Sequence, residues 1–167
     1  MPAEPLFDYS QFDYDNPKYD LAEIRRINPQ RYEMEQLTGV VHIDQERRGV
    51  VGFKEVTDQE FWVAGHMPDF PLMPGVVQCE CGAQLAGFYA RSTKLLGGAF
   101  IGFGGMSEVR FRRPIYPGCR LILMALVTKV RPNRLVHFNF QGFVDDKLMF
   151  SGAMTGVSIN PDQRASQ

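Results

Sequence analysis

Residues 65–96 read GHMPDFPLMPGVVQCECGAQLAGFYARSTKLL, and the part from Val76 to Leu96 is apolar or small on nearly every side. A helix without a polar face belongs inside a core rather than on a surface. Ahead of it, Pro68, Pro71 and Pro74 fix φ and remove amide donors, so the approach is a stiff extended track and the helix starts after Pro74. Gly82, Ala83, Ala86 and Gly87 allow a sheet to come close to the helix. Working outward, the segments 37–44, 49–56, 99–112, 119–130, 134–145 and 147–159 are enriched in β-branched or aromatic residues and alternate in polarity. Turn residues separate them, among them Pro117-Gly118, Pro132-Asn133 and Asp145-Asp146. Short links between the last four predict an antiparallel meander. The expected class is α+β, with a curled antiparallel sheet wrapped around one long central helix.

The same stretch carries chemistry. His66 titrates near neutrality in its unperturbed form, so it can take or give a proton with little driving force lost. Glu80 stands among Val76, Val77, Cys79, Cys81, Gly82 and Ala83, a setting in which desolvation disfavours a charged carboxylate and favours an acid. Gly75 lets a ligand approach the backbone, and the free N–H groups of the first helical turn suit an oxygen that becomes negative. Spacing does not by itself bring His66 and Glu80 together, because the extended chain between them spans up to about 45 Å.

Composition bounds the alternatives. The chain has 167 residues, 44% of them hydrophobic, with a net charge of −1, which suits a substantial core and disfavours duplex nucleic acid as a partner. No segment has the eighteen or so uninterrupted apolar residues of a membrane span, and the beginning lacks the layout of a secretory signal, so a cytoplasmic location is expected. The three cysteines, an odd number with none in a zinc-type spacing, fit reduced thiols. Cys79 and Cys81 are two apart on a helix and point away from each other, as inert thiols would. Residues 1–19 mix Pro2, Pro5 and Pro17 with Phe7, Tyr9, Phe12, Tyr14 and Tyr19, which suggests an extended arm lying on the domain or on a partner subunit. A single domain is expected over 20–159, followed by a polar tail over 160–167.

The string GHMPDFPLMPGVVQCECGAQLAG resembles the active-site segment of the β-hydroxyacyl-acyl-carrier-protein dehydratases of type II fatty acid synthesis. Two further motifs follow the same family in the right order. Ile24-Arg25-Arg26-Ile27-Asn28-Pro29-Gln30-Arg31-Tyr32 resembles its short N-terminal helix and turn, and Glu108 to Gly118 resembles its "Phe-basic-basic-Pro-Val-x-Pro-Gly" strand and turn. The resemblance implies the hotdog fold and the elimination of water from a 3-hydroxyacyl thioester to give a trans-2-enoyl product. It implies His66 and Glu80 as the catalytic pair, contributed by opposite subunits of a homodimer, with a backbone N–H of Gly75 or Val76 on the thioester carbonyl. It implies no metal and no organic cofactor, acyl carrier protein as the partner that delivers substrate, and a possible trimer of dimers. Arg110, Arg112 and Arg113, with Arg131 and Arg134 one hairpin on, form the one basic concentration seen along the chain, and the first three are the expected docking site for an acidic carrier.

The chain departs from the family pattern at Asp69 and Phe70 beside the histidine, over Met34 to Gly39, and at Gly102, where relatives often carry a gating tyrosine. Two other readings stand beside dehydration. A hotdog thioesterase would use the same helix start but direct water with a carboxylate. A non-catalytic acyl-thioester-binding paralogue would have little reason to keep both His66 and Glu80. Acyl length, the choice between acyl carrier protein and coenzyme A, and isomerase activity are not legible in the sequence.

Overall fold

A computed structural model of the protein describes residues 4–97 and 100–159; the expected polar tail over 160–167 lies outside that range. A short helix α1 (Leu21–Ile27) precedes the hairpin β1 (Gly39–Asp44) and β2 (Gly49–Val56). The long helix α2 (Gly75–Ser92) follows, then β3 (Phe100–Phe111), β4 (Cys119–Arg131), β5 (Leu135–Val144) and β6 (Lys147–Ile159). The six strands make one antiparallel sheet in the order β1-β2-β4-β5-β6-β3. Wrapped around α2, it has the hotdog architecture expected from the sequence.

The meander expected of the last four strands holds for β4, β5 and β6 but not for β3, which pairs with β6 at the far edge. Its link to β4 contains Pro114 and Pro117 and is no hairpin. That link crosses the molecule: Arg112 N–H bonds Met149 O at 2.7 Å beside β6, Ile115 O accepts Met73 N–H at 2.9 Å below the helix start, and Gly118 N–H reaches Val56 O at 2.7 Å on β2.

Strand alternation sorts two cores. Val50, Val56, Leu121, Leu123, Ala125, Phe138 and Phe140 point inward onto α2, where Leu85, Phe88 and Tyr89 are buried. Each Val, Leu or Phe side chain among them contributes about 1.5–3 kcal/mol by leaving water. Gly82 lets the helix settle on the sheet, since a Cβ there would stand 3.0 Å from the Phe140 ring. On the opposite face, Val51, Phe53, Ile122, Met124 and Phe143 are covered by the segment before α1, through buried Phe7 and part-buried Leu6, Tyr9, Phe12 and Tyr14. The aromatic residues that argued against a solvated leader therefore form the second core. Tyr19 closes the arm by exchanging two backbone hydrogen bonds of 2.9 Å with Val40 of β1. Asp20 then caps α1, its carboxylate accepting from Glu23 N–H at 2.9 Å while the Glu23 side chain accepts from Asp20 N–H at 3.0 Å. Among the described residues no helix is long and apolar enough to cross a membrane.

Candidate active site

His66 sits on the segment between β2 and α2, which is pinned at its beginning. Lys54 of β2 and Glu60 form an ion pair of 2.9 Å with side chains only 7% and 10% exposed, and Trp62 is buried beside them. The Trp62 carbonyl accepts the His66 N–H at 2.8 Å. From there the chain turns sharply, with Met67 and Asp69 both in the left-handed region at φ 58° and 66°. Asp tolerates that conformation; Met does not, and such strain persists only where the surroundings impose it. Phe70 leans edge-on against Tyr116 of the β3–β4 link at 5.5 Å. The turn places the His66 Nδ1 2.6 Å from the Leu72 carbonyl. A carbonyl only accepts, so Nδ1 carries the proton and Nε2 of the neutral ring keeps its lone pair free.

Seven residues after Pro68 the helix begins, and its first turn is left uncapped. Pro74 provides no side-chain cap, and its carbonyl accepts from Val77 and Gln78 at 3.0 and 3.1 Å. The N–H groups of Gly75 and Val76 have no acceptor among the described residues. A Cβ at Gly75 would meet the Phe111 ring at 2.8 Å, so only glycine lets β3 cover this turn. Arg110, Arg112 and Arg113 flank Phe111, exposed and without a carboxylate partner among the described residues.

Glu80 lies elsewhere, part-buried on the wall of a groove of ≈ 120 Å³ between α2, β3 and β6. Its Oε1 accepts from Gln84 Nε2 at 2.7 Å, one helical turn on. Gln84 is itself held on three sides, donating to Met34 O at 2.6 Å, accepting from Gln36 N–H at 2.9 Å, and offering its backbone carbonyl to Asn28 Nδ2 at 3.1 Å. The four-residue spacing of Glu80 and Gln84 could have indicated this partnership; the contacts to residues 28–36 could not. Gly102 lines the same groove, with Ile159 folded over it so that a Cβ would have no room. His66 does not line the groove, and none of the described cavities of a single chain is shared by His66 and Glu80.

The structure also corrects the count of basic concentrations. Arg25, Arg26, Arg31, Arg91 and Lys94 line a second groove that adjoins the first through Asn28, Ala90, Arg91 and Ile101. These five come from α1, the turn after it and the end of α2, so no local run announces them. The two thiols on α2 are both buried, and burial pushes the Cys81 thiol up to about 12, which leaves it inert.

The family model for the FabA-like domain matches residues 28–153, which takes in His66, Gly75, Glu80 and Gln84 and leaves the arm and α1 outside. The chain belongs to this family. The 3-hydroxyacyl-[acyl-carrier-protein] dehydratase FabZ of Streptococcus mutans is 33% identical over 136 residues, which cover 81% of this chain and 95% of that protein. Among solved structures, the dehydratase heterocomplex ApeI:P from Xenorhabdus doucetiae superposes with a TM-score of 0.71 at 15% identity, covering 86% of this chain and 97% of that one. Cj0977, a sigma28-regulated virulence protein from Campylobacter jejuni, gives 0.64 at 17% identity, with 87% and 96% covered. At those identities the two structures speak for the fold alone. This FabA-like chain thus carries the expected dehydratase residues in two places rather than one.

Proposed function

We propose that this protein is a (3R)-hydroxyacyl-[acyl-carrier-protein] dehydratase, a hydro-lyase that converts 3-hydroxyacyl thioesters to trans-2-enoyl thioesters in fatty acid biosynthesis. The observation that carries the reading is the orientation of His66, whose Nδ1 is engaged by the Leu72 carbonyl so that Nε2 is available as a base beside an open helix start. The thioester carbonyl lies on the Gly75 and Val76 N–H groups, which stabilise the negative oxygen that forms as the C2 proton leaves. His66 Nε2 takes that proton. Glu80 of a second copy, steadied by Gln84, gives a proton to the departing 3-hydroxyl, so that water leaves and the C2–C3 double bond forms. The proton on His66 returns to the carboxylate through solvent, and the site is reset without a metal or an organic cofactor.

A homodimer is the smallest unit that completes the site on this reading. Strand β3 is the free edge of the sheet, and it exposes Phe103, Met106 and Phe111, which a second copy would cover. Arg110, Arg112 and Arg113 beside the helix start suit an acidic carrier protein. The test is turnover of 3-hydroxyacyl-carrier thioesters followed by enoyl absorbance, with free thiol measured in parallel. His66→Ala should lower kcat about 10²–10⁴-fold with unchanged circular dichroism. Near-normal turnover by that variant, or thiol release in place of enoyl product, would overturn the assignment.

A further inference from the structure

Resting on that reading, the order of atoms in the substrate decides what the Glu80 groove receives. The carbonyl lies at the helix start, C2 faces His66 and the C3 hydroxyl faces Glu80, so C4 and everything beyond it must run past Glu80. On the helix that carries Glu80, the next residues on this wall are Ala83, Gln84, Ala86, Gly87 and Ala90, small except for Gln84, which is tied up by Glu80 and the segment 28–36, and then Arg91. Eleven residues of helix rise about 16 Å, and the general tilt of helical side chains toward the N-terminus shortens the run up to an arginine head group.

Arg91 is poorly satisfied where it stands. Among the described residues its guanidinium reaches only the Ile27 and Ile101 carbonyls, at 3.5 and 3.3 Å, and it lies over the Phe100 ring at 5.2 Å from the centroid. Among the described residues no carboxylate lies within ion-pair distance of it. Beyond it the adjoining groove adds Arg25, Arg26, Arg31 and Lys94; among the described residues Arg25 alone has a carboxylate partner, Glu35, and Arg31 donates to the carbonyls of Arg25, Asn28 and Gln30. The wall of the first groove also bears two buried amide oxygens without a partner, Asn28 Oδ1 and Gln30 Oε1. A groove walled on the helix side mostly by small residues thus carries open polar groups and adjoins a cluster of cations at Arg91. A methyl end driven into that place would strip water from the guanidinium and return nothing, whereas a carboxylate there would gain charge-assisted hydrogen bonds.

We infer that Arg91 is a specificity-determining residue of the acyl groove: it admits chains that stop short of it or end in an anion, and rejects longer chains that end in a methyl group. With carbon–carbon bonds of about 1.5 Å in staggered conformation, the space before the guanidinium holds roughly eight carbons past C3.

The experiment compares the full-length protein with Arg91→Leu and Arg91→Lys on 3-hydroxyacyl thioesters of four, eight, twelve and sixteen carbons, and on a twelve-carbon chain ending in a carboxylate. Calorimetric binding of the corresponding saturated thioesters, which cannot lose water, accompanies the kinetics. The wild type should lose at least ten-fold in kcat/KM between the twelve- and sixteen-carbon chains, mainly through KM. It should favour the carboxylate end over the methyl end by a similar factor. Arg91→Leu should raise the ratio of sixteen- to four-carbon kcat/KM at least ten-fold and abolish the carboxylate preference, while Arg91→Lys retains both. A length profile unaltered by Arg91→Leu, or equal affinity for the two chain ends in the wild type, overturns the inference. Should the wild type dehydrate none of these thioesters, the proposed activity falls, and the saturated series still decides the role of Arg91 through affinity.

Discussion

The segment that carries His66 and the helical wall that carries Glu80 are built on opposite plans. The histidine is fixed by backbone: a carbonyl on Nδ1, another on its N–H, a left-handed Met67 and three prolines. The carboxylate is fixed by side chains, with one glutamine tied to three points of the segment 28–36. In the proposed mechanism the first region supplies the base and the oxyanion donors, and the second supplies the groove and the acid. Each half lacks what the other holds, and none of the described cavities of a single chain joins them.

The sharpest way to break this comparison is complementation. His66→Ala and Glu80→Gln should each be nearly inactive alone. Mixed, dissociated and reassociated, they should recover about a quarter of wild-type turnover, because half of randomly paired dimers contain one intact site of two. If the mixture stays inactive while exchange is shown by mass, the two halves do not meet across chains. Next in size is the anchor of the His66 segment. Lys54→Met removes one partner of a buried ion pair and leaves the Glu60 charge unmatched, which should cost about 3–5 kcal/mol in urea-unfolding midpoint terms. A loss below about 1 kcal/mol would show that the pair is not what holds this segment down. The smallest effect belongs to the Glu80 side. Hydrogen bonds of 2.6 and 2.8 Å from Arg25 hold the Glu35 carboxyl below the usual carboxylate range. A folded-state pKa below the unfolded one stabilises fully above the unfolded value, about 4.3, and the contribution fades as the pH falls through the lower folded value. Arg25 is half exposed, so the pair is worth no more than about 1 kcal/mol. Glu35→Gln should therefore lower stability slightly at neutral pH and converge with the wild type as the pH falls through the lowered folded-state value; parallel pH profiles would show that the pair contributes nothing.

What could be read from the chain alone followed from local rules. Alternation and turn residues marked all six strands and the buried helix, with ends displaced by a few residues. The placement of β3 was not legible, because the partner of a strand depends on where its link goes, and 112–118 is routed by contacts to Met73, Val56 and Met149 that no neighbouring residue encodes. The same holds for the cation-lined groove, assembled from α1 and the end of α2, and for the grip of residues 28–36 on Gln84. His66 stood out by residue type, but the proton position on its ring came from one carbonyl that only the folded turn supplies.

The hydrogen bonds between Tyr19 and Val40 have a consequence for assembly. They occupy the outer rim of β1, while β3 at the other end of the sheet is open. Strand-by-strand growth is thus hindered at that end of β1, and two copies joined through their β3 rims, as in the proposed dimer, would each have used the more open of their two edges. A few residues lying outside the matched domain act as a terminator for the sheet.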